Sequence, residues 1–267
     1  YDISACLVGS EMCIRDRFSA SAHTITKIQL VTGIISVFGL FYFNFTLSNV
    51  FILIASFYIY SIIGVSLTLH RYYSHKSFEF KYPVIKWICT LIAILSGRGS
   101  PIGWVYVHRI HHAYSDTDKD PHSPKNLGFK LFGFKHIEEH SGKMNFFLVK
   151  DLMNPIQLKI NEYYFLIILV VAIILGLMDL SVLYFVWILP VFLIQLSQNS
   201  FNYFAHTSGH RNFNTKDNST NNIWLWPFIL GDAWHNNHHA NAHKISTKVL
   251  KYEYDPISVF INLIRIP

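Results

Sequence analysis

Apolar residues fall into four long stretches, separated by polar positions. Residues 28–45 and 50–69 form one pair, split at 46–49, and residues 163–178 and 180–204 form another, split at Asp179. A helix that crosses a bilayer needs about 20 mostly apolar residues, with a lower limit near 17. The first pair meets this requirement, and 163–178 is slightly short unless its helix continues past those limits. The pattern predicts four transmembrane helices, arranged as two hairpins.

A fifth apolar stretch, residues 84–96, is shorter and contains Lys86. These features predict a helix that lies at the membrane surface or packs on a cytoplasmic domain, without crossing the bilayer. Gly97, Gly99 and Pro101 follow this stretch and are expected to end its helix before a new one begins over residues 104–112.

Composition and charge also favour an integral membrane protein. Of the 267 residues, 51% are apolar and only 14% are charged, whereas about a quarter of a soluble domain is charged. This excludes a disordered chain and disfavours the core helices of a large soluble protein. Lys and Arg number 3 in residues 1–27, 13 in 70–162 and 6 in 205–267, and none lies in 28–69 or 163–204. By the positive-inside rule, both termini and a cap formed by 70–162 and 205–267 are expected on the cytoplasmic side.

The first 17 residues do not fit the rest of the chain. They lack an initial Met and the basic-then-apolar pattern of a signal peptide. We interpret residues 1–17 as translated sequencing-adapter sequence that is not native, and assign residues 18–267 to one domain. Cys6 and Cys13 lie in this segment, and no C-x-x-C pair in the chain indicates a zinc or redox site.

Fifteen histidines are the second unusual feature of the composition. The spacing i, i+3, i+4 places three imidazoles on one face of a helix. Two triads have this spacing: His108, His111 and His112, and His235, His238 and His239. Asn202 and His206 stand at i, i+4, at the end of the fourth apolar stretch.

His70 ends the second apolar stretch, and His75 follows five residues later. On an ideal α-helix this step leaves about 140° between the two side chains. They are therefore expected to share a site only if the helix ends or bends between them. Five further histidines have no matching partner and are given no metal role: His122, His136, His140, His210 and His243.

Clustered imidazoles of this kind indicate a metal site. Without a metal, nine dry imidazoles would be left as unsatisfied polar groups, and neutral imidazole binds Fe, Cu, Zn and Ni. Nine ligands exceed the needs of one ion, so two metals are expected. The chain has no E-x-x-H pattern, which separates the site from carboxylate-rich di-iron bundles. A di-iron centre at the edge of a bilayer suggests O2-dependent lipid oxidation, and leaves desaturation, hydroxylation and epoxidation open.

Three histidine motifs carry a resemblance to a known family. HRYYSH at 70–75, HRIHH at 108–112 and HNNHH at 235–239 resemble the three histidine boxes of membrane fatty-acid desaturases, closest to the Δ9 (stearoyl-CoA-type) branch. The flanking runs HRIHHAYSDTDKDPHSP and GDAWHNNHH are similar too, and NYFAH at 202–206 resembles the N-x-x-x-H element of that branch. The resemblance covers about residues 25–267.

The resemblance implies an all-α integral membrane protein with four transmembrane helices and a helical cytoplasmic cap that holds two iron ions beside a bent acyl tunnel. It implies Δ9 desaturation of a saturated acyl-CoA or acyl-lipid, with O2 as co-substrate reduced to water. By the family pattern, Asn202 would act through water and nine histidines would be iron ligands: His70, His75, His108, His111, His112, His206, His235, His238 and His239.

Electrons must then come from a separate protein, because the chain has no haem domain, iron–sulfur cysteine set or G-x-G-x-x-G motif. A cytochrome b5-, ferredoxin- or rubredoxin-like carrier is expected. The basic cytoplasmic face suits an acidic carrier, and equally suits topology signalling and lipid headgroups. The lipid bilayer is a further expected partner. No nucleic-acid partner is expected. A bacterial inner membrane is favoured over the endoplasmic reticulum.

Charged residues near the boxes are further candidates. Metal-bound imidazoles often donate their other N–H to a carboxylate, and Asp116, Asp120 or Asp232 could accept it; the first two could instead form a turn, and the third a helix cap. Arg71 and Arg109 could bind an acyl headgroup or phosphate, or pair with those aspartates.

Two rival functions remain. One is another histidine-rich di-iron membrane enzyme, such as an alkane or sterol hydroxylase. The other is a metal transporter, which would place its ligands within the spans, whereas here the histidines lie at or beyond their predicted cytoplasmic ends.

Overall fold

Helices dominate the described part of the chain. The computed structural model describes residues 28–132 and 146–267, so the segment 1–17 lies outside it. Within these ranges there is no β-strand, only isolated bridges. The main helices, in chain order, are α1 (Ile28–Tyr42), α2 (Leu47–Ser74), α3 (Pro83–Leu95), α4 (Pro101–Tyr114), α5 (Pro155–Met178), α6 (Leu180–Phe204), α7 (His235–Ala240) and α8 (Pro256–Ile264). Short helical turns lie at Pro124–Leu127, Gly128–Phe132, Phe146–Leu152 and Ile223–Ala233.

Three of these helices are long and apolar enough to cross a membrane: α2 with 28 residues, α5 with 24 and α6 with 25. They contain the predicted spans 50–69, 163–178 and 180–204, and α5 begins well before residue 163, so the short apolar stretch there belongs to a longer helix. The predicted first span, 28–45, corresponds to the shorter apolar helix α1.

The helices break at both positions predicted for turns, and each break carries a side-chain cap. The Thr46 hydroxyl accepts a hydrogen bond from the backbone N–H of Asn49 before α2. Asp179 has an extended backbone, and its carboxylate accepts from the N–H of Ser181 at the start of α6. Such caps satisfy N–H groups that the first helical turn leaves unpaired.

The long helices differ in how much of their surface they bury. Only 11% of the most apolar window of α5 is buried inside the bundle, against 50% for α6. Leu166, Leu169 and Leu177 of α5 are exposed, whereas Tyr164 and Ile168 pack into the core between α5, α6 and α2. A helix that is apolar on its outer face as well is typical of a membrane span.

The second half of α2 is wound as a π-helix from Ile59 to Ser74. Its backbone bonds join residues five apart, as where the N–H of His75 donates to the carbonyl of His70 over 3.1 Å. This winding stacks residues five apart above one another. Gly64 lies within this segment against α3, and a Cβ added there would lie 3.0 Å from the carbonyl oxygen of Ile92.

The helix predicted over 84–96 is α3, and the glycines end it as expected. Gly97 and Gly99 have positive φ angles of 72° and 97°, and Ser100 caps α4. The end of α3 also reaches α6, since the indole N–H of Trp187 donates to the carbonyl of Leu95 over 2.8 Å. The α3–α4 loop therefore begins next to a contact with α6.

A buried charge cluster joins the cap to α2. Arg71 is 2% exposed and contacts Asp232 at 3.0 Å and Asp255 at 2.8 Å. Asp255 also caps α8. A Cβ on Gly231 would overlap the Asp255 carboxylate. The position of this carboxylate therefore requires a glycine at residue 231.

Candidate metal centre

Nine histidines converge in two groups. Within each group, nitrogen atoms that could hold a metal ion lie within 4.8 Å of one another. The first group, cluster A, contains His70, His75, His108, His112 and His238, and the second, cluster B, contains His111, His206, His235 and His239. These are the nine histidines singled out by the sequence motifs. His136 and His140 lie outside the described residues.

The winding of α2 brings His70 and His75 together. Their ring centroids lie 4.9 Å apart. The sequence led us to expect that the helix would have to end or bend between them. The helix does end there, at Ser74, with His75 as its C-cap, and its π-winding up to that point also brings residues five apart onto nearly the same face.

Helices α4 and α7 each supply both clusters. His111 and His112 are adjacent in sequence, but His111 belongs to cluster B and His112 to cluster A; His239 and His238 divide in the same way. Neighbouring residues on a helix point about 100° apart. Two helices can therefore each contribute side chains to two adjoining sites.

Four carboxylates lie behind the clusters, each in contact with the Nδ1 atom of one imidazole. Asp116 contacts His206 at 3.0 Å and Asp120 contacts His111 at 2.9 Å. Asp232 contacts His70 at 3.3 Å, and Asp217 contacts His239 at 2.8 Å. An ionised carboxylate only accepts hydrogen bonds, so each of these imidazoles carries its proton on Nδ1 and turns a bare Nε2 lone pair into the cluster.

Several Nε2 atoms face one another across the clusters. The Nε2 atoms of His70 and His238 are 3.0 Å apart, as are those of His206 and His235. The Nε2 atom of His239 is buried and has no hydrogen-bond partner among the described residues. Buried polar atoms in this state are costly. A cation between the imidazoles would satisfy them, so the residues fit a metal centre.

The protonation states suit metal binding. Burial, followed by neighbouring imidazoles, holds the pKa of His75, His108, His112, His235 and His238 well below 6.5. Burial also lowers the pKa of His239 to about 4, although Asp217 opposes the shift. Neutral imidazole is the form that binds metals. The nitrogen atoms are thus available at neutral pH.

The carboxylates remain ionised. Burial raises the pKa of Asp120, but the hydrogen bond from His111 and its electrostatic attraction outweigh it and lower that pKa to about 2. Similar contacts hold the pKa of Asp116, Asp217 and Asp232 below its usual range, against the effect of burial. Such carboxylates orient metal-binding imidazoles and increase their basicity.

The other residues singled out by sequence have different surroundings. Asn202 precedes His206 by one turn of α6, and its side chain makes no hydrogen bond within 28–132 and 146–267. Asp232 does not cap α7, where Trp234 takes that position. Arg71 pairs with Asp232, one of the two roles considered for it, and its burial leaves no surface for a headgroup.

Arg109 also has a full set of partners. Its guanidinium contacts Asp151 at 2.7 Å and donates to the backbone carbonyls of Tyr73, Ser74 and Leu148. Sequence reasoning had considered a headgroup or a neighbouring aspartate, and Asp151 was not among those aspartates. The contacts tie α4 to the end of α2 and to the turn at Phe146–Leu152.

Sequence reasoning missed Asp217. It lies in a polar loop 22 residues before His239, and its carboxylate also accepts from Thr215 and Ser219. The only signal was the density of short polar residues in TKDNST, at 215–220, which is typical of any turn.

An apolar cavity of about 820 Å³ lies beside α2 and α6. Its walls include Phe57 of α2, Leu193 and Leu196 of α6, and Phe228 of the Ile223–Ala233 segment. Cavities of several hundred Å3 with apolar walls are typical of small-molecule sites. This one lies along α6, which ends at Phe204, two residues before His206.

Comparison with known proteins agrees with this geometry. A family model described as fatty acid desaturase matches residues 46–250. The chain is 30% identical to the sn-1 stearoyl-lipid 9-desaturase of Anabaena variabilis over 234 residues, which cover 84% of this chain and 83% of that protein. It is 30% identical to the acyl-CoA C20 Δ5-desaturase of Anemone leveillei, covering 83% of this chain and 72% of the relative.

A third relative is named for a different reaction. The chain is 33% identical to the hex-5-enoyl-[acyl-carrier protein] acetylenase of Moorena producens, over 67% of this chain and 63% of the relative. The chain thus spans less than two thirds of the length of this and some other relatives.

The histidine clusters, the apolar helices and the family match agree with one another. The chain belongs to the fatty acid desaturase family. That family is iron-dependent and acts on fatty-acyl substrates in membranes.

Proposed function

We propose that the protein desaturates a saturated fatty-acyl chain, at the Δ9 position, in an O2-dependent reaction. The observation that carries this proposal is the position of clusters A and B. Nine imidazoles with inward-facing nitrogen atoms meet where the apolar helices α2 and α6 end. A centre at that level is within reach of acyl chains in the bilayer.

The nine histidines would hold two iron ions, one in each cluster, with Asn202 acting through water. Iron bound there would supply the activation of O2 needed to break unactivated C–H bonds. The carboxylates of Asp116, Asp120, Asp217 and Asp232 keep the Nδ1 protons in place and orient the imidazoles. Six of the nine histidines are buried, which limits the access of bulk water to the clusters.

The overall reaction requires electrons from outside. The acyl chain loses two hydrogen atoms as the double bond forms, and two further electrons and two protons complete the reduction of O2 to two water molecules. We assign the electrons to a separate one-electron carrier of the cytochrome b5, ferredoxin or rubredoxin type. The basic residues outside the apolar helices would suit an acidic carrier.

The proposed orientation follows the charge distribution. Four spans, with α1 as the first, would place both termini and the cap in the cytoplasm, because Lys and Arg are absent from 28–69 and 163–204. A bacterial inner membrane is the proposed location.

The substrate is proposed to be an acyl-CoA or an acyl-lipid. The relatives differ on this point, since their names specify a lipid-linked stearoyl chain, an acyl-CoA and an acyl-carrier protein. The apolar cavity beside α2 and α6 offers room for hydrocarbon.

Expression of the full chain in a host that lacks a desaturase, together with the electron carrier, tests the proposal by fatty-acid profiling. His111→Ala and His238→Ala each remove one ligand, and His210→Ala, outside both clusters, is the matched control. A monounsaturated product lost only in the first two variants supports desaturation, and its fragments give the bond position. A hydroxylated product would contradict it, as would a loss of product in the control alone.

A further inference from the structure

Arg98 has no carboxylate partner in the part of the chain that the structure describes. Arg71 and Arg109 each contact carboxylates. Within residues 28–132 and 146–267, Arg98 makes neither an ion pair nor a side-chain hydrogen bond, and its Nε atom is inaccessible to solvent without an acceptor. Buried charged groups are normally paired. The Arg98 side chain is half-buried, and a half-buried guanidinium without a partner indicates a missing anionic one.

The position of Arg98 is enclosed on two sides. It lies in the α3–α4 loop between Gly97 and Gly99. The N–H of Gly99 donates to the Tyr164 hydroxyl of α5 over 3.0 Å, and a Cβ on Gly97 would lie 2.5 Å from Val191 of α6. Burial lowers the pKa of Arg98 to about 10, so the side chain is charged at neutral pH.

The depth of this loop matches the membrane surface. Tyr164 follows Lys159 and Glu162 on α5 by five and two residues, and both of those charged residues are exposed. The long apolar part of α5 begins immediately afterwards. Arg98 thus lies near the level at which lipid headgroups meet hydrocarbon.

The start of the next helix also favours a bound anion. The loop leads into the N-terminus of α4, a 14-residue helix whose dipole attracts negative charge.

We propose that Arg98 binds the phosphate group of the molecule that carries the acyl chain, either a phospholipid headgroup or the phosphates of a coenzyme A thioester. This inference rests on the proposed function, because it assumes an acyl substrate. Arg forms charge-assisted and bidentate bonds to phosphate. A neutral glycolipid headgroup offers no such partner.

The same helix that begins at this loop carries the metal ligands. From Pro101 to His108, α4 rises by about 10 Å. A phosphate held at Arg98 would therefore lie at a fixed distance from clusters A and B. The bound headgroup would set which carbon atoms reach the metal centre, and Arg98 would act as a positioning residue for the site of desaturation.

Ligand binding to the purified full chain tests this proposal without turnover. Native mass spectrometry would compare wild type with Arg98→Gln and Arg98→Lys, using phosphatidylglycerol, stearoyl-CoA and monogalactosyldiacylglycerol as probes. Lys159→Gln, which removes an exposed cation of α5, is the matched control. We expect Arg98→Gln to bind at least one phosphate-bearing probe about tenfold or more weakly than wild type. Arg98→Lys should be intermediate and Lys159→Gln unchanged.

The outcomes separate the two phosphate sources. Weakening confined to phosphatidylglycerol identifies a lipid, and weakening confined to stearoyl-CoA identifies a thioester. Equal binding of both phosphate-bearing probes by wild type and Arg98→Gln overturns the proposal, as does equal weakening of the galactolipid. Iron content and the thermal midpoint show whether each variant is folded, and Arg98→Lys decides the question if Arg98→Gln is not.

A product analysis gives a second readout. Loss of the phosphate anchor should broaden the double-bond position from one isomer to several. If a variant with weakened binding still formed a single, unchanged isomer, the positioning role of Arg98 would be contradicted. A wild-type chain that binds phosphate through Arg98 but forms no alkene would contradict the desaturase proposal and leave the anion site in place.

Discussion

The imidazole rings of His112 and His239 stack with centroids 4.5 Å apart and planes inclined by 24°, although they belong to different clusters. The two rings form part of a wall that clusters A and B share. Two ions bound there would be close neighbours, and α4 and α7 would each contact both.

Metal content should report this arrangement. We expect about two iron ions per wild-type chain, one for each cluster. His108→Ala in cluster A and His235→Ala in cluster B should each lower the content to about one or less, because each removes a ligand from one site. Elemental analysis by mass spectrometry of the purified protein measures this directly.

His210→Ala provides the control for that experiment. His210 lies outside both clusters, 3.5 Å from Glu253. It should retain the wild-type iron content. A wild-type chain that holds one iron or none after reconstitution would contradict the two-site arrangement.

Asp217 should matter for metal affinity although it touches no metal in the proposed site. Asp217→Ala removes the acceptor that fixes the Nδ1 proton of His239. Loss of such a partner typically weakens metal binding about 10–100-fold. Asp217→Asn keeps an acceptor oxygen and should lose less. Chelator competition measures the affinity, and Asp118→Asn, at an exposed position, should leave it unchanged.

The local parts of the site were predictable from sequence, whereas the long-range parts were not. The spacing of His108, His111 and His112 specifies one helical face, because side-chain direction on a helix depends only on separation. Their division between clusters A and B depends on what packs opposite each ring. Asp217 reaches His239 through a loop, so no helical period connects them.

The winding of α2 was also not predictable. An apolar stretch such as 50–69 is compatible with α or π hydrogen bonding, because it is mostly apolar whichever residues share a face. The difference appears only in packing, where Gly64 lies against the backbone at Ile92. His70 and His75 meet because of that winding, and their separation of five residues was the only sign of it.

Arg71 should be important for stability. Arg71→Met leaves Asp232 and Asp255 buried without their cation. Removing one partner of a buried ion pair costs about 3–5 kcal/mol. We expect a lower thermal midpoint in detergent, with loss of iron following because Asp232 also contacts His70. Lys251→Met, at an exposed position, is the control, and an equal midpoint for both variants would contradict this role.

The buried imidazoles predict how the metal-free protein responds to acid. Six of them have a pKa below the ordinary value of 6.5, and that of His239 is about 4. Above pH 6.5 they are neutral in the folded and the unfolded chain, so they contribute no pH dependence. Below pH 6.5 the unfolded chain binds protons that the folded chain does not, and the free energy of unfolding falls.

Each such group contributes up to about 1.4 kcal/mol per pH unit over this range. The free energy of unfolding of the chelator-treated protein should therefore fall steeply from pH 6 to pH 5. It should hardly change from pH 8 to pH 7. His238→Leu removes one proton acceptor and should make the slope shallower by about one proton. If the wild-type slope below pH 6.5 were flat, the imidazoles would be protonated alike in both states, and the neutral clusters inferred from their burial would be wrong.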